Sequence, residues 1–143
     1  AVQKVKPDAM VDLATLTGAC IVALGEEVAA YMGNDRALLE RVKAAAEKSG
    51  ERIWELPLVP EYKEVIKSQV ADFCNITPGK KGAGTITAGL LLQEFVDKTP
   101  WVHLDIAGPA WAEKEVIPYM PKGGTGFGVR TMLELLKGVS DAK

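Results

Sequence analysis

Val11-Asp12-Leu13-Ala14-Thr15-Leu16-Thr17-Gly18-Ala19 decides the fold of this chain, because an apolar strand here runs into a polar turn closed by glycine. In the span 9–16, Val11, Leu13 and Thr15 fall on one face and Met10, Ala14 and Leu16 on the other, with Asp12 the one interruption. A strand apolar on both faces requires a layer of structure above and below it. The turn that follows exposes backbone groups at the C-terminal end of a strand, which is where α/β enzymes hold their ligands.

Outward from that strand the chain alternates strand and helix signals. Cys20 to Leu24 and Val28 to Met32 are short apolar runs joined by Gly25-Glu26-Glu27, read either as a strand pair or as a turn of helix and a strand. Asn34 or Asp35 caps an amphipathic helix with Leu38, Leu39, Val42, Ala45 and Ala46 on one face, closed by Gly50. A short strand from Arg52 to Leu56 stops at Pro57, and Pro60 opens a helix over 61–69. Val70 to Ile76 reads as a strand, 78–84 as a glycine-rich loop and 87–97 as a helix. Trp101 to Ile106 is the second strong strand, ending in Ala107-Gly108-Pro109, and a helix over 129–137 closes the chain before Gly138. Strands spaced by helices of this length predict one α/β domain, a three-layer α/β/α stack on a mixed, largely parallel sheet.

Composition narrows the function classes. With 143 residues and 48% hydrophobic content, the chain can bury a core of its own. Its net charge of −2, from 17 basic and 19 acidic residues, offers no basic stripe for a phosphate backbone, so nucleic acid is not an expected partner. No apolar run is long enough to cross a bilayer and no signal-peptide pattern opens the chain, so a cytoplasmic location is expected and no membrane partner. Cys20 and Cys74 stand in apolar settings without metal or redox spacing and read as buried thiols. Residues 1–6 read as the end of a helix stopped by Pro7, as expected at an internal boundary of a longer chain.

Several motifs invite chemistry. Gly79-Lys80-Lys81-Gly82-Ala83-Gly84-Thr85 precedes a helix but lacks the Gly-Lys-Ser/Thr of a P-loop, and Thr87 stands where the dinucleotide fingerprint needs its third glycine. Lys122-Gly123-Gly124-Thr125-Gly126-Phe127-Gly128 fails the same test at Val129. A nucleotide-binding module built on the first loop stays open as the alternative, and an assembly segment as a third reading. His103 and Asp105 share one face of a strand, too few ligands for a metal site, and His103 is the one histidine available to any Ser-His or Cys-His mechanism. A structural hydrogen-bonding role is expected for it. Asp12 and Asp105 are acids within apolar strands, and buried carboxylates of this kind take backbone or neighbouring donors, with a pair of catalytic carboxylates as the alternative.

The chain resembles the leucine aminopeptidase (cytosol aminopeptidase) family of metallopeptidases in several motifs in the same order. They are Asp12-Leu13-Ala14-Thr15-Leu16-Thr17-Gly18-Ala19, Ser49-Gly50-Glu51-Arg52-Ile53-Trp54 with Leu56-Pro57-Leu58, Ala71-Asp72 to Asn75-Ile76, Gly84 to Ala88 and Trp101 to Gly108. The resemblance implies an enzyme that hydrolyses N-terminal residues from peptides with two divalent ions, zinc or manganese and in some members magnesium, and that assembles as a hexamer. The family's Asn-Thr-Asp-Ala-Glu-Gly-Arg metal motif is not in this sequence, and its catalytic lysine and arginine also lie upstream. The resemblance therefore implies the C-terminal part of a catalytic domain, without metal or catalytic residues and inactive alone. What it carries over is a substrate wall: the Leu16 carbonyl and Gly18 N–H for the peptide main chain, with Thr15, Ile76, Ala107 and Ala110 lining the side-chain pocket.

Overall fold

The computed structural model describes residues 1–76, 82–115 and 122–140. Its elements are α1 (Val2–Val5), β1 (Met10–Ala14), α2 (Gly18–Leu24), β2 (Ala29–Gly33), α3 (Arg36–Ser49), β3 (Ile53–Glu55), a 3₁₀ segment (Pro60–Ile66), α4 (Gly84–Gln93), β4 (Trp101–Asp105), β5 (Trp111–Ala112), β6 (Gly123–Gly124) and α5 (Val129–Ser140). The main sheet has the order β1-β4-β2-β3. β1 lies parallel to β4 and β2 parallel to β3, while β4 and β2 are antiparallel. The mixed, mostly parallel α/β sheet is therefore the one the strand signals predict.

Strand alternation sorts the side chains into two layers. On one face Tyr31, Val102 and Leu104 pack with Leu38, Leu39, Val42 and Ala45 of α3 and Leu135 of α5. On the other, Ala30 and Met32 pack with Cys20 of α2. α4 presses on that same face so closely that a Cβ at Gly89 would lie 2.2 Å from Met32 Sδ. The spacing of the α3 apolar positions explains its orientation, and its ends explain its length: the Asp35 carboxylate accepts the Leu38 N–H at 2.8 Å and Gly50 turns left-handed at φ 73. Asn34, the other cap candidate, instead ties α3 to β4 by accepting the Trp101 N–H at 2.7 Å and donating to the Thr99 carbonyl at 3.0 Å.

Several expected boundaries move, each for a local reason. The first strand ends at Ala14, two residues short of expectation, because the Leu16 and Thr17 amides leave the ladder for the Asp105 carboxylate. Its residues are half-buried because β1 is an edge strand. The run after Thr17 is helical, since the Thr17 hydroxyl caps it. The span 70–76 is bent and forms no strand: Ser68 Oγ accepts the N–H groups of Val70 and Ala71, and Val70 is 97% exposed. The helix expected over 61–69 is the tighter 3₁₀ segment, α4 begins three residues before Thr87, and Gly138 lies inside α5. Cys20 is buried as expected, but Cys74 is half-exposed. Of the first glycine-rich loop, residues 78–81 lie outside the described residues.

One long-range cap fastens the last helix. The buried Glu51 carboxylate, just beyond α3, accepts the Gly128 N–H at 3.0 Å, the Thr131 N–H at 2.9 Å and the Thr131 hydroxyl at 2.5 Å, and Arg130 Nε lies 3.6 Å away. A negative charge on the first-turn amides of a helix is well placed against its dipole. Glu51→Ala leaves those donors buried without an acceptor and is expected to cost about 3 kcal/mol. Urea denaturation measures this, and a loss below about 0.5 kcal/mol, typical of a surface change, would contradict the cap.

Candidate substrate-binding wall

The site grows from the end of β4. In the register of the sheet Ala14 faces Asp105, the last residue of β4, and the two chains diverge there into the turns at 15–17 and 106–110. Asp105 is fully buried between them. Its Oδ1 accepts the N–H groups of Leu16 at 3.1 Å, Thr17 at 3.4 Å and Ala107 at 3.2 Å, and its Oδ2 accepts the Thr17 hydroxyl at 2.6 Å. Three donors thus share Oδ1 and one takes Oδ2. One buried charge thereby holds both turns against each other.

Thr17 passes that order on to the helices. Its hydroxyl oxygen accepts the Cys20 N–H at 3.1 Å as the N-cap of α2, and it stands 3.0 Å from the Thr85 hydroxyl of α4. Because the Thr17 proton goes to Asp105, the Thr85 hydroxyl is the donor in that pair. α2 and α4 meet here with no room to spare, a Cβ at Gly84 falling 2.9 Å from the Ala19 Cβ. Gly18 is the first residue of α2, so its N–H has no intrahelical acceptor.

Asp12 works in the opposite direction, from β1 toward β4. Its Oδ2 accepts the Trp101 indole N–H at 2.6 Å and its Oδ1 lies 2.6 Å from His103 Nδ1. Its side chain is 37% exposed, where full burial was expected, because the outer edge of β1 is open. His103 is wholly buried and its Nε2 meets no partner among the described residues, a setting that suits the Nδ1–H tautomer, with only a lone pair at Nε2. It is the structural, hydrogen-bonded histidine that the sequence predicts. Burial pushes the Cys20 thiol up, and its Sγ–H donates to the Asp105 carbonyl at 3.5 Å, so Cys20 does not serve as a nucleophile.

The predicted wall residues divide into two groups around Asp105. Leu16 and Ile76 line one cleft of about 540 Å³, together with Ile66, Leu91 and Leu92. Thr15 is exposed in the same turn and Gly18 opens α2 beside it. Ala107 and Ala110 lie on the other turn, where the Ala110 N–H donates to the Ile106 carbonyl at 3.0 Å and its carbonyl accepts the Thr125 N–H at 3.0 Å. Neither lines the first cleft; Pro109 and Trp111, flanking Ala110, border a second of about 700 Å³. Thr17 and Thr85 were not singled out from sequence, although a threonine three residues before Cys20 is a capping signal once α2 is read as a helix.

The carboxylates here do not suit a divalent metal. Both oxygens of Asp105 are engaged by N–H and O–H donors, and Asp12 is engaged by Trp101 and His103. Among the described residues no three His, Cys, Asp or Glu side chains converge on one point.

Polar turns gathered at the ends of the parallel strands β1 and β4, with helices on both faces of the sheet, define an α/β domain of the kind that holds ligands at its strand ends. Residues 1–133 match the catalytic domain of the cytosol aminopeptidase family, and the chain belongs to that family. It is 58% identical over 135 residues to a probable cytosol aminopeptidase of Geobacter sulfurreducens, covering 94% of this chain and 27% of that protein. A probable cytosol aminopeptidase of Alkaliphilus oremlandii is 56% identical over 128 residues, covering 90% and 25%. The bottromycin maturation enzyme BotP superposes with a TM-score of 0.91 at 40% identity, over 98% of this chain and 31% of that one. A mutant tomato leucine aminopeptidase gives 0.83 at 43% identity, over 92% and 25%. The chain thus spans about a quarter of the length of the curated relatives it matches.

Thr17→Val keeps the shape of the side chain but removes the N-cap of α2 and the partner of Asp105 Oδ2. A loss of about 1–2 kcal/mol is expected in thermal or urea unfolding, with Thr17→Ser close to the parent. Equal stability of the valine and serine variants would contradict the hydroxyl's role.

Proposed function

We propose that this chain is the C-terminal part of the catalytic domain of a leucyl aminopeptidase, an enzyme that releases N-terminal amino acids from peptides. Within it the chain supplies core and substrate wall. The Leu16 carbonyl accepts from the peptide main chain and the Gly18 N–H donates to it. Thr15, Ile76, Ala107 and Ala110 surround the apolar side chains. The observation that carries the reading is the family match over residues 1–133, joined to a strand-end turn whose Gly18 amide stands free of the helix it opens.

The two divalent ions of such an enzyme fall to residues other than those described here. A BotP structure holds manganese, which supports manganese as an ion to try; zinc and magnesium rest on the family resemblance. Assembly as a hexamer and a cytosolic location belong to the same proposal, the latter supported by the name of the relatives and by the finding that no described helix is long and apolar enough to cross a membrane. The chain's own contribution is orientation: backbone groups on a rigid turn hold the peptide while apolar walls select its first side chain.

Two assays test this. The pure 143-residue protein, with zinc or manganese added, is expected to release no leucine from leucyl amide, because no metal-ligand cluster forms among the described residues; metal-dependent release that survives a contamination control would contradict the assignment. In the full-length enzyme, Ala110→Trp is expected to lower kcat/KM for leucyl more than for alanyl substrates, by a differential of about 1–3 kcal/mol. An equal fall for both would remove Ala110 from the pocket.

A further inference from the structure

We infer that Asp105 is the positioning residue of the substrate wall. The inference rests on the aminopeptidase reading and deepens it, since it says what sets the geometry of the Leu16 and Gly18 backbone groups. Asp105 touches no substrate. Its two oxygens instead hold the amides on either side of the wall, Leu16 and Thr17 in one turn and Ala107 in the other, and no other side chain among the described residues bonds both turns. The link to α4 through Thr17 and Thr85 extends the same control to the cleft beside Ile76, because Gly84 and Thr87 of α4 line it.

Asp12 provides the control. It ties the same strand pair through Trp101 and His103 but bonds nothing in either turn. Loss of Asp12 therefore weakens the β1–β4 pairing without releasing the wall, whereas loss of Asp105 does both. Asp105→Asn is the conservative replacement: its carbonyl oxygen still accepts the backbone amides, and its NH₂ faces a Thr17 hydroxyl that can turn to donate to Thr85 instead.

The test is steady-state kinetics of the full-length enzyme on leucyl amide, with melting curves to count the folded fraction. Asp105→Ala is expected to lower kcat/KM about 100-fold, chiefly through kcat, since a bound peptide is misaligned by a loosened wall. Asp105→Asn is expected to stay within about tenfold of the parent, the scale of one weakened hydrogen bond, and Asp12→Ala within about twofold per folded molecule. If Asp105→Ala does not fold, Thr17→Val carries the test with an expected tenfold fall in kcat. Equal kinetics of the Asp105 and Asp12 variants, or an unaltered kcat in Thr17→Val, would overturn the inference. An inactive parent enzyme would overturn the aminopeptidase reading, and amide exchange in the 143-residue chain then decides the inference alone. Leu16 and Thr17 should be protected in the parent and in Asp12→Ala and open in Asp105→Ala; equal exchange in all three would overturn it.

Discussion

The buried carboxylate of Asp105 is the constraint on which the site depends. Burying a charge is costly unless its acceptor sites are filled, and here the cost is offset by backbone and hydroxyl donors from both sides of a strand end. The same bonds explain where β1 stops, because amides committed to a side chain cannot continue a ladder. They also place the start of α2: the bond from the Thr17 hydroxyl to Asp105 fixes the side chain whose oxygen caps the helix by accepting the Cys20 N–H. Strand end, turn and helix start are consequences of one charge placement.

Two aspartates stitch β1 to β4 from opposite directions. Asp12 reaches across to Trp101 and His103, and Asp105 reaches back into the turn after β1. Both lie on the face opposite the apolar layer of Val102 and Leu104, so the side of α2 and α4 combines a smaller apolar cluster of Cys20, Ala30 and Met32 with directed polar bonds. Packing alone tolerates small shifts, whereas directional bonds to a buried carboxylate fix a register.

Much of this was legible in the residues. The periodicity of α3 with its caps at Asp35 and Gly50, and the apolar runs of β1 and Trp101–Asp105, carry the α/β/α fold. The acids within apolar strands announced buried hydrogen bonding. What stayed hidden were the partners, since Leu16 and Asp105 are 89 positions apart and nothing local joins them. The stretch 70–76 misled because Val70, Phe73 and Ile76 look like strand residues, yet Ser68 turns the backbone and Phe73 packs edge-on against Phe95. The separation of Ala107 and Ala110 from the cleft beside Leu16 and Ile76 was likewise invisible, because nothing local shows which turn faces which cleft.

A crystal structure of the full-length enzyme with a non-hydrolysable peptide analogue tests the central claim most directly. The inhibitor main chain should accept from the Gly18 N–H and donate to the Leu16 carbonyl, with Asp105 still accepting from Leu16, Thr17 and Ala107. An inhibitor bound away from this turn, or a carboxylate swung clear of those amides while the wall keeps its shape, would contradict it.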